Sequence, residues 1–294
     1  MPDQLIHDRL QEKSIILMDG ATGTELQRRG FELQSPGWSA TAIREAPEIL
    51  LSIHHNYVGA GAEILTTNTF RTHSRNLKET IWANDARQLT IDAVAIARQA
   101  SNGLAYLAGS IAPLEDCYSP ELTPSESELE AEHALMIENL LAAGVDFLLC
   151  ETQITIREAS ILATLCQRSR APFMISFTCG RDGKLLSGES LAEAVKSVMC
   201  FGPEAILVNC IPIDEVLPAL QEIHKTAPEM VLGAQANTGR LVSNGTWEST
   251  EGEYPAVYAE FAMTWKEFGA RLIGGCCGTG SQHIKFLNET VCVD

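Results

Sequence analysis

Three cysteines offer this sequence its most specific chemistry. Cys276 and Cys277 stand side by side in "LIGGCCGTG", Leu272 to Gly280, and Cys210 ends the run "EAILVNC". Adjacent cysteines bridge each other only through a strained small ring, because ordinary disulfides hold their Cα atoms about 4.4–6.8 Å apart. A shared metal suits the pair better. Thiolates are soft ligands for zinc, and glycines on both sides let the backbone turn so that consecutive side chains face one ion. Two ligands do not make a site, so a third must come from elsewhere in the chain.

The elements that position these thiols follow from the apolar pattern. Short runs rich in Ile, Leu and Val occur at 14–20, 62–68, 104–110, 145–152, 172–178, 204–210, 230–237 and 271–277. Nearly continuous apolar runs of that length read as strands buried on both faces, as in parallel sheets. Between them lie amphipathic stretches such as "DARQLTIDAVAIARQA" and "IREASILATLCQRS". The polar segment Glu115 to His133 reads as a loop entering a capped helix that Gly144 ends. Strand then helix, eight times over, is the pattern of a single (β/α)8 barrel, here one domain over residues 1–294. A doubly wound sheet would carry G-x-G-x-x-G after its first strand, and "DGATGTEL" lacks that spacing.

In such a barrel the chemistry sits at the C-terminal ends of the strands. Polar residues fall there repeatedly: Asp19, then Thr66 and Asn68, Ser110, Glu151 and Thr152, Ser176 and Thr178, Asn209 and Cys210, Gln235 and Asn237, and last Cys276 with Cys277. Cys210 ends the sixth strand, two strands from the cysteine pair, within reach of one ion. Three thiolates with a vacant fourth position describe a catalytic zinc site, whereas a structural site is closed by a fourth protein ligand. Cys150, Cys166, Cys179 and Cys200 read instead as small buried hydrophobes, and His54 and His55 as packing or surface residues of a helix.

Composition narrows the partners. A net charge of −17, from 21 basic against 38 acidic residues, repels phosphate backbones and anionic membranes, which argues against nucleic-acid binding. No segment has the apolar length of a membrane span, and nine cysteines without a secretory signal fit free thiols in a reducing, cytoplasmic setting.

"MDGATGTEL", "GAEILTTNTF", "ETQ", "VNC" and "GGCCGTG" with a following "HI" resemble, in order and spacing, the homocysteine S-methyltransferase family of zinc-dependent barrels, over about residues 14–290. The resemblance implies that Cys210, Cys276 and Cys277 hold zinc and carry catalysis. It implies that Asp19 and Glu151 bind the ammonium group of homocysteine and that the Gly20, Ala21 and Thr22 turn receives its carboxylate. Asn68 is a further candidate substrate contact, and Asn237, in "ANTG" where relatives often have Asn-Ala-Gly, would lend a carboxamide oxygen near the metal. The methyl donor is read from "SPGWSA", Ser35 to Ala40, which is similar to the loop of the branch that uses S-methylmethionine; S-adenosylmethionine is then a poorer donor. The segment Asn68 to Asn76 differs from that branch, so betaine, a methylated folate or a corrinoid partner stay as alternatives. Two other classes stay open on the residues alone: a metal-free thiol enzyme, which lacks a histidine at any strand tip, and a non-catalytic zinc- or thiol-binding protein, which would not need Asp19 and Glu151 at the same mouth.

Overall fold

A computed structural model describes residues 4–33, 36–242 and 246–293. Its main sheet has eight parallel strands: β1 Ile16–Leu17, β2 Ile64–Thr66, β3 Tyr106–Ile111, β4 Phe147–Gln153, β5 Phe173–Phe177, β6 Ala205–Pro212, β7 Leu232–Asn237 and, last in the chain, β10 Ala270–Gly275. Neighbours pair in chain order from β2 round to β7, then β10 and β1. A parallel bridge between Met18 and Ile64 joins the two ends, so the sheet closes on itself as a (β/α)8 barrel. The closing strand is shorter than its apolar run suggests. Its backbone is nonetheless satisfied, since Met18 N–H donates to Ile273 at 2.8 Å and Asp19 N–H to Ile64 at 3.0 Å.

Two apolar layers explain the sequence pattern. Inward residues of the strands, among them Met18, Ile64, Tyr106, Phe147, Leu149, Met174, Leu207 and Leu272, fill the barrel, and Ile6 and Leu10 of the helix Ile6–Gln11 plug its N-terminal end. Outward residues pack under the helices Pro47–Gly59, Ala86–Ser101, Glu126–Ala143, Ile156–Ser169, Leu191–Met199, Ile213–Thr226, Pro255–Phe268 and Ser281–Thr290. Strands covered on both faces need apolar side chains on both, which is why the runs are continuous rather than alternating. The segment before the fourth strand behaves as its composition implies: Ser125 caps Glu126–Ala143 in a capping box with Glu128, and Gly144 ends it at φ 83°.

Two features differ from the sequence reading. After β7 the chain forms an antiparallel hairpin, β8 Gly239–Leu241 and β9 Trp247–Ser249, which no apolar run signals because its second strand is exposed. Cys200 is exposed at the end of Leu191–Met199 rather than buried, since it falls on the solvent side of that helix's last turn.

Gly274 marks where β10 presses on β1. A Cβ there would lie 2.6 Å from Met18 Cβ and 2.8 Å from the Asp19 carbonyl oxygen, which is backbone and cannot swing aside. Gly274→Ala is therefore expected to lower the unfolding free energy by about 1–3 kcal/mol, the usual cost of overpacking, read as a fall in the urea midpoint.

Candidate metal and substrate site

The C-terminal mouth of the barrel is a cavity of about 640 Å³. Glu151, Cys210, Cys276 and Cys277 line it together with Gly20, Ala21, Thr22 and Asn68, while Asp19 is buried behind Gly20 and does not line it. The Sγ atoms of Cys210, Cys276 and Cys277 lie within 4.8 Å of one another, with Cys210 and Cys276 3.0 Å apart. They are the one group of three or more metal-ligating side chains so arranged among the described residues.

Strand irregularities put them there. The β6–β7 register shifts between Asn209 and Pro212, and Cys210 takes φ 56°. In a regular strand consecutive side chains face opposite ways. The left-handed turn of Cys210 lets both Asn209 and Cys210 face the mouth, at a strain on the order of 1–3 kcal/mol. The same device recurs on β4, where the register shifts between Cys150 and Gln153 and Thr152 has φ 60°. Cys150, as its place in the alternation implies, points outward to Cys166, with sulfurs 3.6 Å apart in the helix layer.

Two buried carboxylates lie next to one another here: Glu151 feels the charge of Cys277, and Asp19 feels that of Glu151. Asp19 is fully buried and accepts from Thr66 N–H and Thr66 Oγ1, each at 2.8 Å. Burial pushes its carboxyl up to about 8, against the lowering effect of the Thr66 bonds. Glu151 accepts from Ser110 Oγ at 2.5 Å and from Asn209 Nδ2 at 3.3 Å. Burial, with the negative charge of Cys277 added, raises it to about 7. Among the thiols, hydrogen bonds from Cys210 and Cys276 draw Cys277 well below the usual thiol range, while the contact with Cys276 holds Cys210 well above it.

The turn after β1 leaves backbone N–H groups unpaired. Ala21 N–H is taken by Thr279 Oγ1 at 3.1 Å, whereas Gly20 and Thr22 have no intramolecular acceptor for theirs among the described residues. Tyr57 Oη donates to Ala21 O at 2.7 Å and locks the turn. Asn237 lies beside the cysteine pair, but its carboxamide oxygen accepts from Cys277 N–H at 3.0 Å, so it orients the pair's backbone. Asn68 donates through Nδ2 to Ser39 O at 2.8 Å and ties the rim loop to the barrel.

Several contributors went unnoticed in the sequence. Thr279 holds the turn, and Phe70, Arg71 and Tyr118 line the outer cavity beside Trp38, while Thr66, Ser110 and Asn209, read from the sequence only as polar strand tips, hold the carboxylates. Trp38, of the donor-loop stretch whose Ser35 lies outside the described residues, packs against Phe70 at 5.8 Å between centroids. Its ring fills the place of a side chain at Gly23, where a Cβ would lie 2.6 Å from it.

The sequence model described as homocysteine S-methyltransferase matches residues 16–291. The chain is similar to the homocysteine S-methyltransferase of Escherichia coli strain K12, with 32% identity over 95% of this chain and 96% of that one. It is similar also to homocysteine S-methyltransferase YbgG of Bacillus subtilis strain 168, with 30% identity over 92% of each. The crystal structure of the homocysteine methyltransferase MmuM from Escherichia coli in its metallated form superposes with a TM-score of 0.83, at 29% identity over 96% of this chain and 98% of that one.

The raised carboxyls set a pH signature. Asp19 binds its proton more tightly folded than unfolded, so its contribution is fully present below the ordinary value of 3.8 and is lost as pH rises through about 8. Asp19→Asn, neutral throughout and able to donate to Thr66 Oγ1 as the protonated acid does, removes that dependence. In metal-free protein the melting temperature of the variant relative to wild type is expected to climb steadily as pH rises from about 4 to about 8; parallel pH profiles would contradict the assignment.

Proposed function

This chain belongs to the homocysteine S-methyltransferase family, and from that premise we propose that it transfers a methyl group from S-methylmethionine, with S-adenosylmethionine a poorer donor, to L-homocysteine, giving methionine, with zinc as its metal. The observation that carries the reading is the meeting of three thiols and the buried Glu151 in one cavity, with the buried carboxyl of Asp19 close enough to Glu151 to feel its charge. The proposed unit is one homocysteine-binding barrel over residues 1–294. Nine cysteines, all free, suit a reducing compartment, and we assign the protein to the cytoplasm. No helix among the described residues is long and apolar enough to cross a membrane.

The donor set fits zinc. Thiolates about 2.3 Å from a tetrahedral ion lie roughly 3.8 Å from one another, a spacing that sulfurs already within 4.8 Å reach through small side-chain rotations. Held by Cys210, Cys276 and Cys277, zinc supplies the positive charge that lowers the pKa of an incoming thiol and leaves its sulfur ionised near neutral pH.

The chain's own residues do the rest. Asp19 and Glu151 take the substrate ammonium, and the arriving cation draws both carboxyls into their charged forms, so protons leave as homocysteine enters. Gly20 and Thr22 N–H groups receive its carboxylate. Gripped at both ends of its amino-acid head, homocysteine directs its sulfur toward the cysteines, and that fixed direction supplies much of the rate through orientation. Trp38 and Phe70 wall the approach and exclude water. In the transfer the sulfonium–methyl bond breaks as the new sulfur–methyl bond forms, and the leaving group departs neutral. A mouth of thiols and carboxylates attracts the cationic donor and releases the neutral product.

The test is methionine formation by zinc-loaded protein given homocysteine and, separately, S-methylmethionine, S-adenosylmethionine, betaine or a methylated folate. Turnover is expected with S-methylmethionine and is expected to vanish in Cys277→Ala. Failure with all four in protein that carries zinc would replace the donor with a corrinoid protein or the acceptor with another thiol. Failure of the wild type to retain zinc where Cys277→Ala also retains none would remove the metal from the reading.

A further inference from the structure

The rim of the cavity carries a cation with no carboxylate of its own. Arg71 follows Phe70 in the loop after β2 and lines the cavity. Its guanidinium sits over the Phe70 ring, 5.1 Å from the centroid, and Nη1 donates to the Glu115 carbonyl oxygen at 2.8 Å. Among the described residues it makes no ion pair, and Nε and Nη2 have no protein acceptor. Arg75, four positions on, shows the contrast. Its guanidinium is held by Glu115 at 2.9 Å, Glu128 at 2.8 Å and Glu132 at 2.5 Å. In a chain with 38 acidic and 21 basic residues, carboxylates are plentiful, yet none is placed against Arg71.

A ring face and a carbonyl oxygen fix the guanidinium's direction while leaving part of its fork open. A planar fork with free N–H groups is what recognition of a carboxylate uses. Its position over Phe70 also removes that ring face as a seat for a quaternary ammonium group, which would meet a like charge there. Asp116, exposed on the same rim, offers an acceptor for an ammonium group. Asp19 and Glu151 are both buried, away from Arg71 and Asp116, so the rim is free for a second amino-acid head.

We propose that Arg71 determines donor specificity by taking the carboxylate of a methyl donor that is itself an α-amino acid. This rests on the homocysteine-methylating reading above and adds that the donor is selected by its carboxylate as well as by its sulfonium. Betaine, whose carboxylate is one carbon from its cationic centre, could not reach Arg71 without bringing its trimethylammonium group against the guanidinium.

The experiment compares S-methylmethionine with trimethylsulfonium, which carries a transferable methyl but no carboxylate, in wild type, Arg71→Gln and Arg71→Lys. Loss of a charged hydrogen-bond pair corresponds to about a tenfold to hundredfold change in an equilibrium constant. Arg71→Gln is expected to raise KM for S-methylmethionine by that factor, to shift KM for trimethylsulfonium and for homocysteine less than about twofold, and to be partly rescued by lysine. An equal shift for both sulfonium donors, or for neither, overturns the proposal. If wild type transfers from no sulfonium, the donor reading of the preceding section falls on its own. Arg71 is then judged by calorimetric titration with S-methylmethionine, where weaker binding to Arg71→Gln upholds the carboxylate contact and unchanged binding refutes it.

Discussion

The site depends on one carboxamide. Asn209 accepts at Oδ1 from Thr152 N–H at 2.9 Å and from Ser176 Oγ at 2.7 Å, and donates at Nδ2 to Thr152 Oγ1 at 2.8 Å and to Glu151 at 3.3 Å. One fully buried side chain thereby joins β4, β5 and β6 at the level where two of those strands break their regular pairing. The backbone N–H of Thr152, freed by the irregularity of β4, finds its acceptor there rather than in water. The bulge that aims Glu151 and the bulge that aims Cys210 are held by the same group. A residue with both donors and acceptors on one planar head is needed; an aspartate could accept both incoming bonds but not give the outgoing ones.

Burial explains why that scaffold carries acids rather than stable anions. A barrel whose interior is filled by Met18, Leu149, Leu207 and Leu272 offers little solvation at its mouth, so Asp19 and Glu151 keep their protons near neutrality. The cost of ionising them falls only when a cation arrives to pair with them. An ammonium group, as proposed, would meet carboxyls whose raised values make them selective for it, since a neutral ligand leaves them protonated. Cys277 works in the same electrostatic neighbourhood, its negative charge raising Glu151. Without a positive partner in the cavity, thiolate and carboxylates compete for protons. With a metal dication on one side and an ammonium on the other, that competition is relieved.

The barrel and its thiols were legible because periodicity and motif are local. Buried parallel strands leave continuous apolar runs, and "VNC" and "GGCCGTG" place three thiols at two strand tips. The partners of Asp19 and Glu151 were not legible in the same way. Thr66 and Ser110 look like ordinary strand-end residues, and their roles appear only once closure brings β1 beside β2 and β3 beside β4. Asn237 shows the limit from the other side: its place beside the pair could be read, but the direction of its carboxamide is decided by the N–H of Cys277, 40 positions away. The exposed hairpin β8 and β9 left no apolar trace, since neither face of β9 is buried.

The rim differs from the floor in physical character, and that division bears on how two amino acids can share one cavity. The floor is rigid, with positive-φ strand ends, paired carboxylates and a turn locked by Tyr57 and Thr279. Its groups are the ones proposed to hold the acceptor. The rim is built from loops after β1, β2 and β3, where Trp38, Phe70, Arg71 and Tyr118 meet. Loops change with less penalty than strand ends, because fewer buried hydrogen bonds depend on them. The floor must keep one acceptor in one orientation, so its residues constrain each other through shared partners such as Asn209. The rim needs only to present a carbon–sulfonium or carbon–ammonium bond in line with that acceptor, and its charges can be rearranged without disturbing the thiols. On the proposed reading, acceptor identity is written in coupled residues that motifs capture, whereas donor identity is written in uncoupled ones such as Arg71.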